Sequence, residues 1–217
     1  MAGLQYGTDV AARRADDLDR AILAAVTAAV VRGQRPTVLD LGCGSGGQAQ
    51  RLAQAGAVVT AVDIMDYSAA ISAHNAALLG AARPIEFVQS DITTYVQNHT
   101  IVYDSMILQR VLHYMSYASA KAILLALKPQ TTGQLYLSVT GVDSAIGALH
   151  PAADAPLPER FASLPASAAE TFAITAPLCV YAQTEVFSLL QETGWYPERL
   201  WRSDFGNIKA VVRPETV

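Results

Sequence analysis

Short apolar runs alternate along the chain with longer segments whose apolar residues recur at helical spacing. The apolar runs are bounded by turn residues and predict strands, whereas the Ala- and Leu-rich segments that end at glycine or proline predict helices. The predicted strands cover 37–41, 57–63, 84–91, 101–108 and 133–141, and the predicted helices cover 8–31, 47–56, 67–80, 116–129 and 184–194. Residues 199–213 predict two further strands that turn at Gly206 and Asn207.

This alternation predicts an α/β fold, a Rossmann-like, doubly wound and mostly parallel sheet with helices on both faces. A ligand is then expected at the carboxyl ends of the strands. We expect one domain over 1–217, with an N-terminal helical cap (1–35) and an insertion (141–180) before the last helix. Long proline-rich insertions are often lids. Its Ala, Ser and Pro content predicts few anchors to the core, with short helices at 143–150 or 159–164.

Composition narrows the possible partners and compartments. The net charge is −4 and the basic residues are scattered, which argues against a DNA or anionic-membrane partner because these bind basic patches. The two cysteines have no metal-ligand spacing, so no metal is expected and a reducing cytoplasm is inferred. Arg13 and Arg14 before the apolar run 21–31 superficially resemble an export signal. Three intervening acids spoil that pattern, and the run is too short to span a bilayer.

The glycine-rich stretch VLDLGCGSGG (38–47) can be interpreted in two ways. Gly42, Gly44 and Gly47 fit G-x-G-x-x-G, the pattern of dinucleotide-binding proteins. Asp40 with Gly42, Gly44 and Gly46 instead fits D-x-G-x-G-x-G. A carboxylate two residues before the loop disfavours a pyrophosphate but suits a cationic ligand such as S-adenosylmethionine (SAM), which carries a sulfonium and an α-ammonium. Asp40 therefore favours SAM.

Two more acids close predicted strands. Asp63 ends the second strand, where a carboxylate can accept from both ribose hydroxyls of either NAD or SAM. Asp91 ends the third strand and can accept from an adenine amino group, with a backbone N–H and an apolar contact from Ile92. Ile64 is placed to pack on the other adenine face. The third acid is expected for SAM and not for a dinucleotide.

The order of VLDLGCGSG (38–46), VTAVDI (59–64), FVQSDI (87–92), YDSMILQRVLHYM (103–115) and LKPQTTGQLYLSV (127–139) resembles the class I SAM-dependent methyltransferases, most of all the small-molecule group that includes the enzymes of ubiquinone biosynthesis. The resemblance implies a seven-stranded sheet with a reversed last strand. It implies SAM as cofactor and S-adenosylhomocysteine (SAH) as product, with backbone groups near Leu108 and Gln109 holding the methionine end. Cys43 lies in the glycine-rich loop, and we expect it to pack there as a small residue and not to act as a nucleophile.

Motifs used on nucleic-acid bases are absent from the sequence. The fourth strand ends in LQRVLHYM, without the [ND]-P-P-[YF] motif of amino-methyltransferases, and no Pro-Cys pair supplies a nucleophile for C5 of a pyrimidine. DNA base methylation is therefore not expected.

His113 is the candidate general base if the acceptor is a hydroxyl, since it follows the fourth strand near the expected methyl group. The favoured alternative is a histidine that only hydrogen-bonds within the fold. Arg110 and Tyr114 are candidates to line the pocket, with packing or surface roles favoured for both. Tyr6, Arg13 and His150 are further candidates to cover SAM.

Three functions remain open. The first is methyl transfer from SAM to a small molecule by in-line displacement. The second is methyl transfer to a protein or an RNA, which predicts a basic or extended groove that the charge pattern does not suggest. The third is a SAM-binding regulatory module without activity.

Overall fold

The computed structural model describes residues 3–80 and 82–215. The first two residues of the predicted N-terminal cap, and the ends of the predicted domain, lie outside this part of the chain. The helices are α1 (Asp17–Val31), α2 (Gly47–Gln54), α3 (Ser68–Ala77), α4 (Ile92–Asn98), α5 (Tyr117–Leu127), α6 (Ala166–Phe172) and α7 (Gln183–Glu192). The strands are β1 (Thr37–Leu41), β2 (Val58–Asp63), β3 (Glu86–Gln89), β4 (Tyr103–Gln109), β5 (Thr131–Val139), β6 (Trp195–Arg202) and β7 (Ile208–Pro214).

The strands form one seven-stranded sheet in the order β3-β2-β1-β4-β5-β7-β6. β1 runs parallel to both β2 and β4, and β2 runs parallel to β3. β6 and β7 pair in antiparallel fashion across the predicted hairpin turn. This topology confirms the predicted fold class. Asp40 is the penultimate residue of β1 and Asp63 the last of β2, so the parallel pairing brings both acids to the carboxyl edge.

The residues divide into two compact units by their contacts. That the two units form a single domain stays a prediction. The first unit comprises residues 9–108 and 129–136. Its core is built from fully buried apolar side chains on β1, α2 and β4, among them Leu39, Leu41, Leu52 and Met106. Burial of such side chains is the main source of stability, about 1.5–3 kcal/mol each.

The second unit contains the described residues 3–8, 109–128 and 137–215. Here Trp195, at the start of β6, is fully buried and its indole N–H donates to the carbonyl oxygen of Leu124 in α5 at 3.0 Å. A second apolar cluster within this unit comprises Ile146, Leu164, Ala168, Ile174, Leu178 and Val180. All six of these residues lie in the predicted insertion (141–180), which therefore contributes an apolar core of its own.

The N-terminal helix is shorter than predicted. α1 begins at Asp17 and not at residue 8, because Asp16 caps it: the Asp16 carboxylate accepts from the backbone N–H of Leu18 and Asp19. The Asp19 carboxylate in turn accepts from the Asp16 N–H at 2.8 Å, which completes a capping box. Residues 9–15 precede this cap as turns and extended chain.

α4 was not predicted, and the predicted third strand is correspondingly too long. β3 ends at Gln89, and Asp91 caps α4 by accepting from the Thr94 N–H at 3.1 Å. Four residues of β-propensity followed by a seven-residue helix leave little periodicity for a sequence window to detect. The acid at the strand end is thus also a helix cap.

The prediction that the insertion has few anchors is wrong. Arg160 is 6% exposed, and its guanidinium forms two hydrogen bonds with the Glu185 carboxylate, at 2.7 and 3.0 Å, and donates to the carbonyl oxygens of Ala155 and Val180. The buried His150 ring lies 2.9 Å from the carbonyl oxygen of Leu178. These polar contacts, with the apolar cluster, make the insertion a packed part of the second unit.

Candidate functional site

The loop between β1 and α2 is shaped by glycines. Gly42, Gly44 and Gly46 have φ of 73°, 54° and 84°, a left-handed region that side chains disfavour. The N–H groups of Gly42 and Cys43 both donate to the carbonyl oxygen of Val62, at 2.8 and 3.1 Å, and this fixes the loop against β2. A Cβ at Gly46 would collide with the side chain of Ile71. The absence of side chains at these glycines therefore lets neighbouring segments pack closely against the loop at the start of α2.

Asp63 supports this loop directly. One carboxylate oxygen accepts from the Gly44 N–H at 2.9 Å and the other accepts from the Met65 N–H at 2.9 Å. Each carboxylate oxygen has a second lone pair, so the group retains capacity for a ligand hydroxyl. Ile64 and Met65, the next two residues, are 50% and 49% exposed. An acid flanked by exposed apolar side chains suits a ribose with an adjoining flat base.

Asp40 is buried at the edge of β1, with only 4% of its surface exposed. Its Oδ2 atom has no hydrogen-bond partner within residues 3–80 and 82–215. Burial, reinforced by the charges of Asp19, Asp63 and Asp9, raises the pKa of Asp40 to about 7, against a lowering effect of Arg51. An unsatisfied buried carboxylate beside other acids is stabilised by a cation, so the residues present fit a sulfonium or ammonium ligand and disfavour a pyrophosphate.

Cys43 lies inside the loop and is 5% exposed. Burial, followed by the charges of Asp40 and Asp63, raises the pKa of its thiol well above the usual range. A thiol held in its neutral form is a poor nucleophile. This agrees with Cys43 as a packing residue.

Asp9 and Ser45 belong to this site but were not predicted from the sequence. One oxygen of the Asp9 carboxylate accepts from the Ser45 N–H at 2.9 Å and from its hydroxyl at 2.7 Å, and the other accepts from the Ala12 N–H at 3.0 Å. A Cβ at Gly44 would lie 2.7 Å from the Asp9 carboxylate. The segment before α1 thus rests on the glycine loop, and no local sequence signal marks this contact.

The remaining predicted cofactor residues lie at other strand ends of the first unit, apart from Gln109. Asp91 is exposed, and its capping bond to Thr94 uses one carboxylate oxygen only. Ile92 is 7% exposed at the start of α4. Leu108 is fully buried near the end of β4, and Gln109, the last residue of β4, is half-buried.

His113 lies in the second unit, in a short turn of 3₁₀-helix (Leu112–Tyr114) after β4. It is 3% exposed, and its Nδ1 atom has no hydrogen-bond partner in the described part of the chain. Burial, with the nearby charge of Arg110, lowers the pKa of His113 to about 3. The ring is therefore neutral at physiological pH and a weak base.

His113 packs against Tyr114, which in turn contacts Tyr6 within the same unit. The His113 and Tyr114 rings lie 4.2 Å apart, and Tyr6 packs edge-on against Tyr114 at 5.1 Å. The Tyr114 hydroxyl donates to the carbonyl oxygen of Tyr6 at 2.6 Å. His150, in contrast, forms a hydrogen bond within the insertion, between its ring and the carbonyl oxygen of Leu178.

Comparison with known proteins identifies the domain. Residues 38–131 match the family model described as a methyltransferase domain, a span that contains the glycine loop and the acids at 40, 63 and 91. The chain contains a methyltransferase domain, which supports the predicted class I SAM-dependent methyltransferase. The predicted enzyme class, with SAM as cofactor and SAH as product, is thereby confirmed. The assignment to the ubiquinone-biosynthesis-like group stays a prediction.

Solved structures of methyltransferases share the fold of this methyltransferase. Magnesium protoporphyrin IX methyltransferase of Synechocystis PCC 6803, with bound SAH, is 20% identical with a TM-score of 0.63 and covers 90% of this chain and 83% of its own. The 1,6-didemethyltoxoflavin-N1-methyltransferase of Burkholderia thailandensis, with bound 1,6-didemethyltoxoflavin and SAH, is 17% identical with a TM-score of 0.66 and covers 96% and 82%. A comparison with curated proteins gives no match.

The described residues were compared with the requirements of a membrane span and of a metal site. In the described ranges, no helix is both long and apolar enough to cross a membrane. Among those same residues, no group of three or more His, Cys, Asp or Glu side chains is arranged to hold a metal ion.

Proposed function

We propose that this methyltransferase transfers the methyl group of SAM to a small-molecule acceptor by in-line displacement. The observation that carries the proposal is the buried and unsatisfied Asp40 carboxylate at the strand end before the glycine loop, an anionic site suited to a cationic methyl donor. SAM supplies a methyl group already activated on a sulfonium sulfur, so the protein has mainly to bind, orient and exclude water.

In this proposal the acids divide the recognition of SAM among them. Asp40 faces the positive charge, and Asp63 accepts from the ribose hydroxyls while it holds the Gly44 N–H. Ile64 offers an exposed apolar side chain to one face of the adenine, and Asp91 offers its second carboxylate oxygen to the adenine amino group. Gly42, Cys43, Gly44 and Gly46 allow close approach of the backbone, and Ile92, Leu108 and Gln109 complete the cofactor site.

His113 acts in this proposal as a hydrogen-bonding residue toward the acceptor and not as a strong base. A ring whose pKa is about 3 takes up a proton poorly at neutral pH. In this proposal the proton of the attacking atom leaves to solvent, and not to His113, as the new bond to the methyl carbon forms.

A small-molecule acceptor is supported by charge and by similar structures. The net charge is −4 and the basic residues are scattered, so no basic surface for a nucleic acid is indicated. Two of the similar structures are named for small-molecule substrates, a magnesium porphyrin and a toxoflavin precursor. Cytoplasmic location is proposed on the same sequence grounds as before.

The test is methyl transfer from tritium-labelled SAM into fractionated cell extract. We expect label in the low-molecular-mass fraction, and loss of at least 90% of it with Asp63→Asn but not with the exposed Asp154→Asn. Label confined to protein or RNA would support a macromolecular acceptor instead. Tight SAM binding without transfer to any fraction would support a non-catalytic module.

A further inference from the structure

Arg110, the first residue after β4, has a strained backbone. Its φ is 59°, in the left-handed region that an arginine rarely adopts. The backbone N–H is held by Ser138, donating to its carbonyl oxygen at 2.9 Å and to its hydroxyl at 3.1 Å. Strained positions of this kind gather at functional sites, where the surrounding structure imposes the conformation. The backbone held in this way sets the position from which the Arg110 side chain extends.

The guanidinium of Arg110 lacks a partner. Within residues 3–80 and 82–215 it forms no hydrogen bond and no ion pair, although the residue is half-buried. Arg160, in the same unit, shows the opposite case, with every side of its guanidinium bonded to a carboxylate or a carbonyl. A guanidinium without a protein partner is available to an anionic ligand, and the partial burial of the residue limits where that ligand lies.

His113 follows Arg110 by three positions, in the short turn of 3₁₀-helix directly after β4. The charge of Arg110 contributes to the lowered pKa of His113. The Tyr114 hydroxyl is already used by the carbonyl oxygen of Tyr6, whereas the buried Nδ1 of His113 has no partner in the described chain. An unpartnered guanidinium and an unsatisfied ring nitrogen thus belong to one short segment of the chain, in which His113 packs on Tyr114 and Tyr114 packs on Tyr6.

We propose that Arg110 and His113 form a binding site for an oxyanion, the carboxylate or a similar group of the methyl acceptor. The identification of the ligand as acceptor rests on the proposed function. The planar guanidinium matches a carboxylate in two parallel hydrogen bonds. The neutral His113 ring, with its proton on Nδ1, donates a third, and the tyrosine rings pack on the apolar part of the molecule. The acceptor is a small aromatic or cyclic acid.

The test compares acid and amide probes of the same shape. Benzoate, salicylate and indole-3-acetate are titrated by calorimetry against the protein with and without saturating SAH, each beside its neutral amide. We expect at least one acid to bind tenfold more tightly than its amide. Arg110→Gln, which keeps the backbone and removes the charge, should abolish that difference. Arg110→Lys should retain part of it, and the exposed Arg199→Gln should leave it unchanged.

Three results would overturn the site: equal affinity for acids and amides, full acid selectivity in Arg110→Gln, or no binding by any acid. A readout specific to the ring is the His113 pKa, measured by NMR. It should rise on adding the bound acid, because an anion beside the ring stabilises the imidazolium. An unchanged value would remove His113 from the site. Failure of SAH to bind would instead contradict the proposed function, because the probe titrations are also made without it.

Discussion

Lowering the pH below 7 should weaken SAM binding through Asp40. Burial and three neighbouring acids raise the Asp40 pKa from 3.8 to about 7, so the free protein holds this carboxyl partly protonated at neutral pH. A cationic ligand binds the ionised Asp40 carboxylate, so a protonated Asp40 must lose its proton before the ligand binds. For a group of pKa 7, the affinity should fall roughly 25-fold between pH 7.5 and pH 5.5, approaching tenfold per unit.

The same shift affects the stability of the free protein with a definite sign. Between pH 3.8 and about 7 the folded state binds a proton at Asp40 that the unfolded state has lost. This contribution to stability is therefore present at low pH and declines as the pH rises toward 7. Binding must accordingly be measured directly by calorimetry and not inferred from melting temperature at a single pH.

Asp40→Asn is the matched variant, because it keeps the shape and removes the titration. It should bind SAM more weakly at pH 7.5, with little further loss at pH 5.5. The α-amino group of SAM titrates near pH 8. Its contribution is common to both proteins and cancels in the comparison. The exposed Asp154→Asn should keep the wild-type slope. Equal slopes in wild type and Asp40→Asn would refute the assignment of the charge to Asp40.

The remaining predictions concern stability and the loop. Asp9→Ala loses three hydrogen bonds, two from Ser45 of the glycine loop and one from Ala12, and should lower the free energy of unfolding by about 1–3 kcal/mol in urea denaturation; an unchanged midpoint would mean that these bonds do not contribute to stability. Gly46→Ala should reduce SAM affinity far more than Gly80→Ala, since both have positive φ but only Gly46 is crowded, and similar losses would contradict this. Arg160→Ala should cost about 3–5 kcal/mol, against at most about 1 kcal/mol for the exposed ion-pair partner Arg202→Ala; equal costs would refute the anchoring of the insertion.

The part of the fold around the glycine loop was predictable because its signals are local. Glycines needed for positive φ and acids at strand ends stand within a few residues of the elements that place them, as Asp40 and Asp63 show. The capping pair Asp16 and Asp19 was equally local, and it would have placed the start of α1 had the Ala-rich stretch before it not suggested a longer helix.

Other parts of the site depend on contacts between distant residues. Arg160 and Glu185 are 25 positions apart and Asp9 and Ser45 are 36 apart, so composition alone could not show that the insertion is anchored or that the N-terminal segment rests on the loop. The weak basicity of His113 likewise follows from its burial, which its sequence neighbours do not reveal. Local patterns therefore indicated the glycine loop and the acids at the strand ends, whereas the anchoring of the insertion and the burial of His113 required the tertiary structure.

The most direct measurement is a calorimetric titration of the purified protein with SAM and with NAD at pH 7.5. The anionic, glycine-lined site predicts one SAM bound per chain, no measurable heat with NAD, and SAM binding weakened about tenfold or more by Asp63→Asn. Binding of NAD with no binding of SAM would contradict the account, because a pyrophosphate would then occupy a loop lined by the buried Asp40 carboxylate.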